Sequence, residues 1–354
     1  MQAESPAMEV TASPIRKPAS DRSKAPVFVL GCGRSGTTLL YHMILSAGNF
    51  AVYRAESNIL NQLEPRFGDL SVLRNRERAV DAWIDSKLFR RSGLDAGEIR
   101  RKIVSDCNSG GSFLRIFMEE ICRKQGVERW ADCTPEHLLH IPRIKETIPN
   151  ALIIHIIRDG RDVALSTGKL GYIRRAWWDK SPIEMVCGIY WEWMIQRGRE
   201  YGRQLGADYT EVRFDDVVTN PGHTLARLGE FIGQELDYDR IREVGIGSVS
   251  DPNTSFRGNS QDGFNPLGRW KSGYTPDNLA MLEGLIGGTL TELGFELETK
   301  ERRLLERPDW QMMRGAYRAW FDFKFWIKTE MPFGKYFVTD ELSNTQFDRE
   351  GLPG

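Results

Sequence analysis

The run Val27-Phe-Val-Leu30, followed by Gly31-Cys-Gly33-Arg34-Ser35-Gly36-Thr37-Thr38-Leu-Leu40, sets an apolar strand, a glycine-rich turn and a helical pattern in immediate succession. That order points to an α/β fold in which a buried strand delivers the backbone to an anion-binding turn. Gly31, Gly33 and Gly36 permit the tight turn and the close approach of amides to an anion. A helix opening near Gly36 adds N–H groups and the positive end of its dipole. Arg34 supplies a planar cationic fork, and Ser35, Thr37 and Thr38 supply hydroxyl donors to the same oxygens. The spacing Gly31-x4-Gly36 is that of a nucleotide-triphosphate loop, yet Thr37-Thr38 stand where a lysine and a metal-binding hydroxyl are expected, which disfavours an ordinary Mg-ATP enzyme.

A second apolar run, Ala151-Leu-Ile-Ile-His155-Ile-Ile-Arg158, ends in the polar turn Asp159-Gly160-Arg161-Asp162 and a short helical pattern through Ser166. It reads as another buried parallel strand. Arg158 lies at its carboxyl end, and Ser166, about two helical turns further on, can face the same phosphate. The bland alternative is a solvated cluster of ion pairs at Arg158, Asp159, Arg161 and Asp162, worth little energetically. Two strand-turn-helix settings in one chain favour the phosphate reading.

These motifs resemble those of the sulfotransferases that use 3′-phosphoadenosine 5′-phosphosulfate (PAPS). The string Arg34-Ser-Gly-Thr-Thr38 is similar to their 5′-phosphosulfate loop, and Arg158 with Ser166 matches their 3′-phosphate motif, Arg161 falling where many members carry a base. The resemblance covers roughly residues 26–297. It is nearest in style to the protein-tyrosine and carbohydrate group, as a bacterial-type member without an evident anchor. It implies a three-layer α/β/α fold of the P-loop nucleoside-triphosphate-hydrolase type, with a central parallel sheet and helical insertions. Sheets of this kind bind ligands outside the carboxyl ends of their strands, so both motifs fall at one crevice.

Three further segments extend the match with departures. Phe214-Asp215-Asp216, after the predicted strand at 209–213, takes the place of a tyrosine and two acids, with the tyrosine hydroxyl lost; a helix is expected from Asn220-Pro221, with Leu225, Leu228, Phe231 and Ile232 on one face. Ser255-Phe-Arg257-Gly258 and Leu267-Gly-Arg269-Trp270-Lys271 resemble the late loop that closes over the 3′-phosphate, so Arg257 and Arg269 join the candidate nucleotide residues. Residues 258–266 between them are too rich in glycine and asparagine for a regular element, and read equally as a lid or a surface loop. Trp130-Ala-Asp132-Cys133-Thr134-Pro135-Glu136-His137 resembles a Lys-Thr-Pro-x-His stretch, with Cys133 in place of the lysine.

A hydroxyl acceptor must lose a proton. Glu56, twenty residues after Gly36 and beyond an expected short strand ending near Tyr53, is the leading base; relatives carry a base glutamate in a similar position. Its alternative role is to cap a helix or pair with Arg54. His42, His137 and His155 are rivals, each read in preference as a packed side chain. The expected reaction is in-line transfer of a sulfuryl group to a hydroxyl of a carbohydrate, glycolipid or other metabolite, with Arg34 and the loop amides stabilising the leaving phosphate and no metal required. Two alternatives stand beside it: a P-loop nucleotide kinase, and a non-catalytic protein that keeps the nucleotide cradle.

With 354 residues, 40% hydrophobic and 27% charged, the chain suits one large α/β domain at about 26–300. That domain would carry a helical insertion at about 60–126, a tail at 1–25 and a helical C-terminal extension at 301–354. A net charge of −1 gives no global attraction to nucleic acid. Cys32, Cys107, Cys122, Cys133 and Cys187 show no paired or metal-ligand spacing, and an odd count argues against a secreted disulfide framework. With no apolar leader pattern, the expected location is cytoplasmic. Trp177-Trp178 and Trp191-x-Trp193 are read as core in preference to an acceptor cleft. Residues 310–337 mix bases with aromatics, and are read as a packed helix in preference to a peripheral membrane contact. The oligomeric state is open.

Overall fold

The computed structural model describes residues 21–250, 265–301, 307–331 and 334–337. Its sheet has four strands, β1 (Val27–Leu30), β2 (Ala131–Asp132), β3 (Leu152–Ile157) and β4 (Tyr209–Arg213), in the order β2-β1-β3-β4. All pairings are parallel; Val27 aligns with Ala131 on one side and Leu152 on the other, and Ile153 aligns with Tyr209. β1 and β3 are buried at every position, as near-continuous apolar strands covered on both faces must be.

Alternation along β1 sorts the side chains into two layers. Val27 and Val29 pack with Leu40 and Ile44 of helix Thr37–Ser46 and with Leu225 and Leu228 of helix Pro221–Ile232. Phe28 and Leu30 belong to the opposite core, with Phe117 of helix Gly110–Gln125 and Trp191 and Ile195 of helix Ile183–Leu205. The result is the three-layer α/β/α arrangement of P-loop type. Its polar turns leave the carboxyl ends of the strands on one side.

Between residues 59 and 125 the chain is almost wholly helical, with helices at Leu73–Ile84, Lys87–Ser92, Ala96–Asp106 and Gly110–Gln125. Trp83 is the hub: it meets Phe89, Phe113 and Phe117 edge-on at centroid distances of 5.1, 5.2 and 4.8 Å. Ser109 opens the last of these helices with a capping box, and Gly126, at φ 68°, closes it. The strand expected near Tyr53 does not form. A single bridge joins Phe50 to Arg129, and residues 51–54 continue without regular structure. Here the Tyr53 ring turns inward on Phe117, and its carbonyl accepts a bond from the Tyr41 hydroxyl, so the backbone has side-chain partners in place of a ladder.

Helix Pro308–Glu330 lies along helix Ile183–Leu205, with Trp310, Tyr317 and Phe321 buried. The buried Glu192 anchors it by accepting from Arg314 at 2.6 and 3.0 Å and from Arg318 at 3.4 Å. Trp191 and Trp193 are core residues as expected, but Trp177 and Trp178 are not: they are 94% and 50% exposed, in a loop. All five cysteines are buried and unpaired. Among the described residues no helix is long and apolar enough to cross a membrane.

Candidate active site

The loop after β1 takes its shape from two left-handed residues, Arg34 at φ 72° and Gly36 at φ 92°. For a non-glycine residue this conformation costs about 1–3 kcal/mol and is typical of ligand-clamping turns. Left-handed residues of this kind build the turns in which backbone amides can form a concavity, and here the Ser35 amide closes the turn on the Cys32 carbonyl at 3.1 Å. Helix Thr37–Ser46 then begins with no side-chain cap, leaving its first N–H groups to the crevice. The Ser35 hydroxyl is fully buried and has no hydrogen-bond partner, an unmet polar group in the floor of the turn. A Cβ on Gly33 would meet nothing within 4 Å, so the loop is open to a ligand there. A Cβ on Gly36 would strike the Phe214 ring at 2.3 Å.

Arg158 leaves the end of β3 toward the same loop. Its guanidinium donates to the Arg34 carbonyl at 3.0 Å and to the Pro266 carbonyl, and rests 4.7 Å from the centroid of Phe214. The ring that replaces the expected tyrosine therefore packs beneath the arginine and against the turn. Arg158 Nε, buried, has no partner. Burial pulls the Arg158 guanidinium below its ordinary range, Asp162 opposes this, and the charges of Arg34 and Arg269 push further in the same direction. Three arginines thus converge on one crevice, an arrangement that an anion would relieve.

Ser166, on helix Gly160–Gly168, accepts a bond from Arg34 Nε at 3.1 Å. Its own O–H has no acceptor among the described residues, so it remains a donor. Asp162, one turn earlier, accepts from the backbone N–H groups of Gly268 and Trp270 at 3.0 and 2.9 Å. These bonds fix the late loop over the helix and bring Arg269 near Arg158. Thr37 is buried and Thr38 half-buried at the start of their helix. Arg257 lies outside the described residues, as does most of the 258–266 stretch.

Arg161 departs from the nucleotide role implied for it. It is buried, doubly bonded to Asp159 at 3.0 and 2.7 Å and to Glu283 at 2.5 Å, with its plane 3.7 Å from the Trp270 ring centroid. It ties helix Gly160–Gly168 to helix Pro276–Glu292.

Glu56 is half-buried in a loop pinned to the carboxyl end of β2. The backbone N–H groups of Ser57 and Asn58 donate to Thr134 Oγ1 at 2.9 and 3.3 Å. The Thr134 hydroxyl in turn donates to Asp132 at 3.2 Å. Glu56 is close enough to Cys133 that its charge adds to the burial and the Asp132 charge that push that thiol up. Cys133, in the place of the lost lysine, is itself buried and contributes no cation of its own.

The three rival histidines are packed residues. His137 has both nitrogens in use: Nε2 accepts from the Leu60 amide at 3.3 Å and Nδ1 faces Asp132 at 2.9 Å. His42 Nδ1 accepts from the Ser248 amide at 3.0 Å, and burial with the nearby Arg54 charge pulls its pKa down to about 4. His155, inside β3, bonds Tyr209 at 2.7 Å and is held at about 3 by burial and by Arg199. Among the described residues no His, Cys, Asp and Glu side chains cluster as a metal site. The Arg34–Ser166 contact and the Asp132–Thr134–His137 anchor were not legible in the sequence, since each joins residues distant in the chain or unremarkable in type.

A helix N-terminus without a side-chain cap, a left-handed turn and three neighbouring arginines lie together at the carboxyl ends of parallel strands, the place where α/β folds of this class bind their ligands. The family comparison makes this specific. Residues 26–238 match the model of the sulfotransferase family, and the chain belongs to that family. Among solved structures, it is similar to a sulfotransferase domain from the curacin biosynthetic pathway, at 17% identity and a TM-score of 0.50, covering 77% of this chain and 98% of the other. It is also similar to a sulfotransferase domain from the Synechococcus PCC 7002 olefin synthase, at 18% identity and a TM-score of 0.49, covering 71% and 89%. No curated protein sequence matches it.

Proposed function

We propose that the chain transfers a sulfuryl group from PAPS to a hydroxyl of a carbohydrate, glycolipid or other metabolite. The observation that carries this reading is the meeting of Arg34, Arg158 and Ser166 above a buried, unpartnered Ser35 hydroxyl. These groups fit a nucleotide with phosphates on both its 5′ and 3′ sides. Bound PAPS would supply the activated sulfuryl group.

The protein's part is placement and charge. The 31–36 amides, the Ser35, Thr37 and Thr38 hydroxyls and Arg34 hold the 5′ side and stabilise the charge that develops on its phosphate. Arg158 and Ser166 hold the 3′ side, Arg269 lies near Arg158 there, and the resemblance assigns Arg257 to the same side. Glu56 takes the acceptor proton. Its loop is held by backbone bonds to Thr134, which fixes where the carboxylate can reach. Five buried, unpaired thiols support a reducing, cytoplasmic setting.

Calorimetric titration of the purified chain with PAP, and with ADP and ATP with and without magnesium, tests the nucleotide reading without knowledge of the acceptor. Metal-independent binding of PAP, well above ADP, is expected. Equal affinity for PAP and ADP would remove the 3′-phosphate site, and magnesium-dependent ATP binding would favour a kinase. Binding of PAP with no transfer to any acceptor in a screen would favour a non-catalytic nucleotide protein.

A further inference from the structure

Helix Pro308–Glu330 buries one face and leaves the other apolar. Met312, Ala316, Ala319, Trp320, Phe323 and Trp326 recur at spacings of three and four, and all are exposed. Trp320, Phe323 and Trp326 form a ladder with centroids 6.0 and 6.2 Å apart, and each keeps nearly half its surface in solvent. Soluble surfaces carry single exposed apolar residues, not a stripe of this length with two tryptophans.

A second aromatic group adjoins the first. The 169–182 loop lies against the same helix, where Trp178 meets the Tyr317 ring at 5.7 Å and Tyr317 Oη donates to Asp179 at 2.6 Å. Trp177 at its tip is almost fully exposed, and Tyr172 more than half. Tyr317, on which the loop packs, is one turn from Trp320, so the loop meets the helix beside the start of the exposed ladder.

The rim of this side is cationic. The loop's own sequence holds four bases, Lys169, Arg174, Arg175 and Lys180, and one acid, Asp179, whose oxygens accept from Tyr317 and from the Ser181 amide. Lys324 sits 6.0 Å from the Trp320 ring centroid. The acids of the helix are paired with bases: Asp309 with Arg307 at 2.6 Å, Asp322 with Arg197 at 2.7 Å and Glu330 with Arg143 at 3.1 Å, each still partly exposed.

We infer that this face docks on an anionic lipid surface. Tryptophan and tyrosine rings suit the boundary between headgroups and acyl chains, and the basic rim meets the negative headgroups. A two-fold partner of this chain would instead set the same basic patch against itself. The protein as a whole, at a net charge of −1, has no such attraction; it resides in this patch.

The test uses the full chain with vesicles of phosphatidylcholine alone and of an equimolar mixture with phosphatidylglycerol, read by co-sedimentation and by quenching of tryptophan with brominated lipid. Binding to the mixed vesicles is expected to exceed that to phosphatidylcholine by about tenfold or more and to fall with salt. The triple variant Trp177→Ser, Trp320→Ser, Phe323→Ser changes only exposed positions. It should keep its melting temperature and lose most of the binding. Equal binding to both vesicles, no binding to either, or a folded triple variant that binds as the parent does would overturn the assignment. So would a concentration-dependent dimer, seen by light scattering, that the triple variant abolishes, which would assign the face to a second copy.

Discussion

Arg34 Nε donates to Ser166 Oγ at 3.1 Å across 132 residues of sequence, joining the loop after β1 to the helix after β3. This bond brings together the two segments to which we assign phosphate binding, and each assignment can be tested separately.

Replacing Arg158 by alanine removes a charge-assisted phosphate contact of about 1.5–3 kcal/mol, so PAP affinity should fall by about tenfold to a hundredfold in calorimetry. Affinity at the parent value would withdraw the 3′-phosphate assignment.

Glu56→Gln keeps the shape of the side chain and removes its basicity. Turnover should drop by about 10²–10⁴-fold while PAP binding is unchanged, since the loop is held by backbone bonds to Thr134 that the substitution leaves in place. A turnover close to the parent value would assign the base elsewhere.

Arg161→Ala should behave as a structural lesion. It strands the fully buried Glu283 without its cation, and breaking such a pair costs about 3–5 kcal/mol. A large fall in denaturation midpoint is expected. Arg161→Lys, which keeps the charge but not the fork, should recover part of the stability and bind PAP as the parent does.

Acid should weaken the fold before carboxylates titrate. His42 and His155 are held neutral, at about 4 and about 3, against about 6.5 when unfolded, so the unfolded chain binds more protons below that value. Their contribution is fully present above pH ~6.5 and is lost progressively as pH falls toward the folded values. Melting temperature should therefore decline from pH 7.5 to 5, and His42→Asn should decline less steeply over that range. Identical slopes for parent and variant would exclude His42 as a source.

Much of the site could be read locally. The strands at 27–30 and 152–157, the turn glycines and the helices at Thr37–Ser46 and Pro221–Ile232 follow from runs, punctuation and period, which are properties of neighbours in sequence. The reading failed where a side chain's role depends on a distant partner. Arg161 looks as basic as Arg158 in the string Arg-Asp-Gly-Arg, but Glu283 and Trp270 draw it into the core. Residues 51–54 look like a strand, but side chains from Tyr41 and Gln125 take their backbone groups. Trp177 looks like core, yet no element covers it.

The sequence by itself determined the class of fold and the glycine-rich turn after β1, because apolar strands, glycines and a helix start act within a few residues of one another. Only the tertiary structure decided which cations converge on the crevice, that the Glu56 loop is anchored at the end of β2, and that no described element covers the aromatic face. Those outcomes depend on hydrogen bonding, burial and charge pairing between segments roughly 80 to 140 residues apart, where the partner a side chain meets, as Arg161 meets Glu283, decides whether it is held inside.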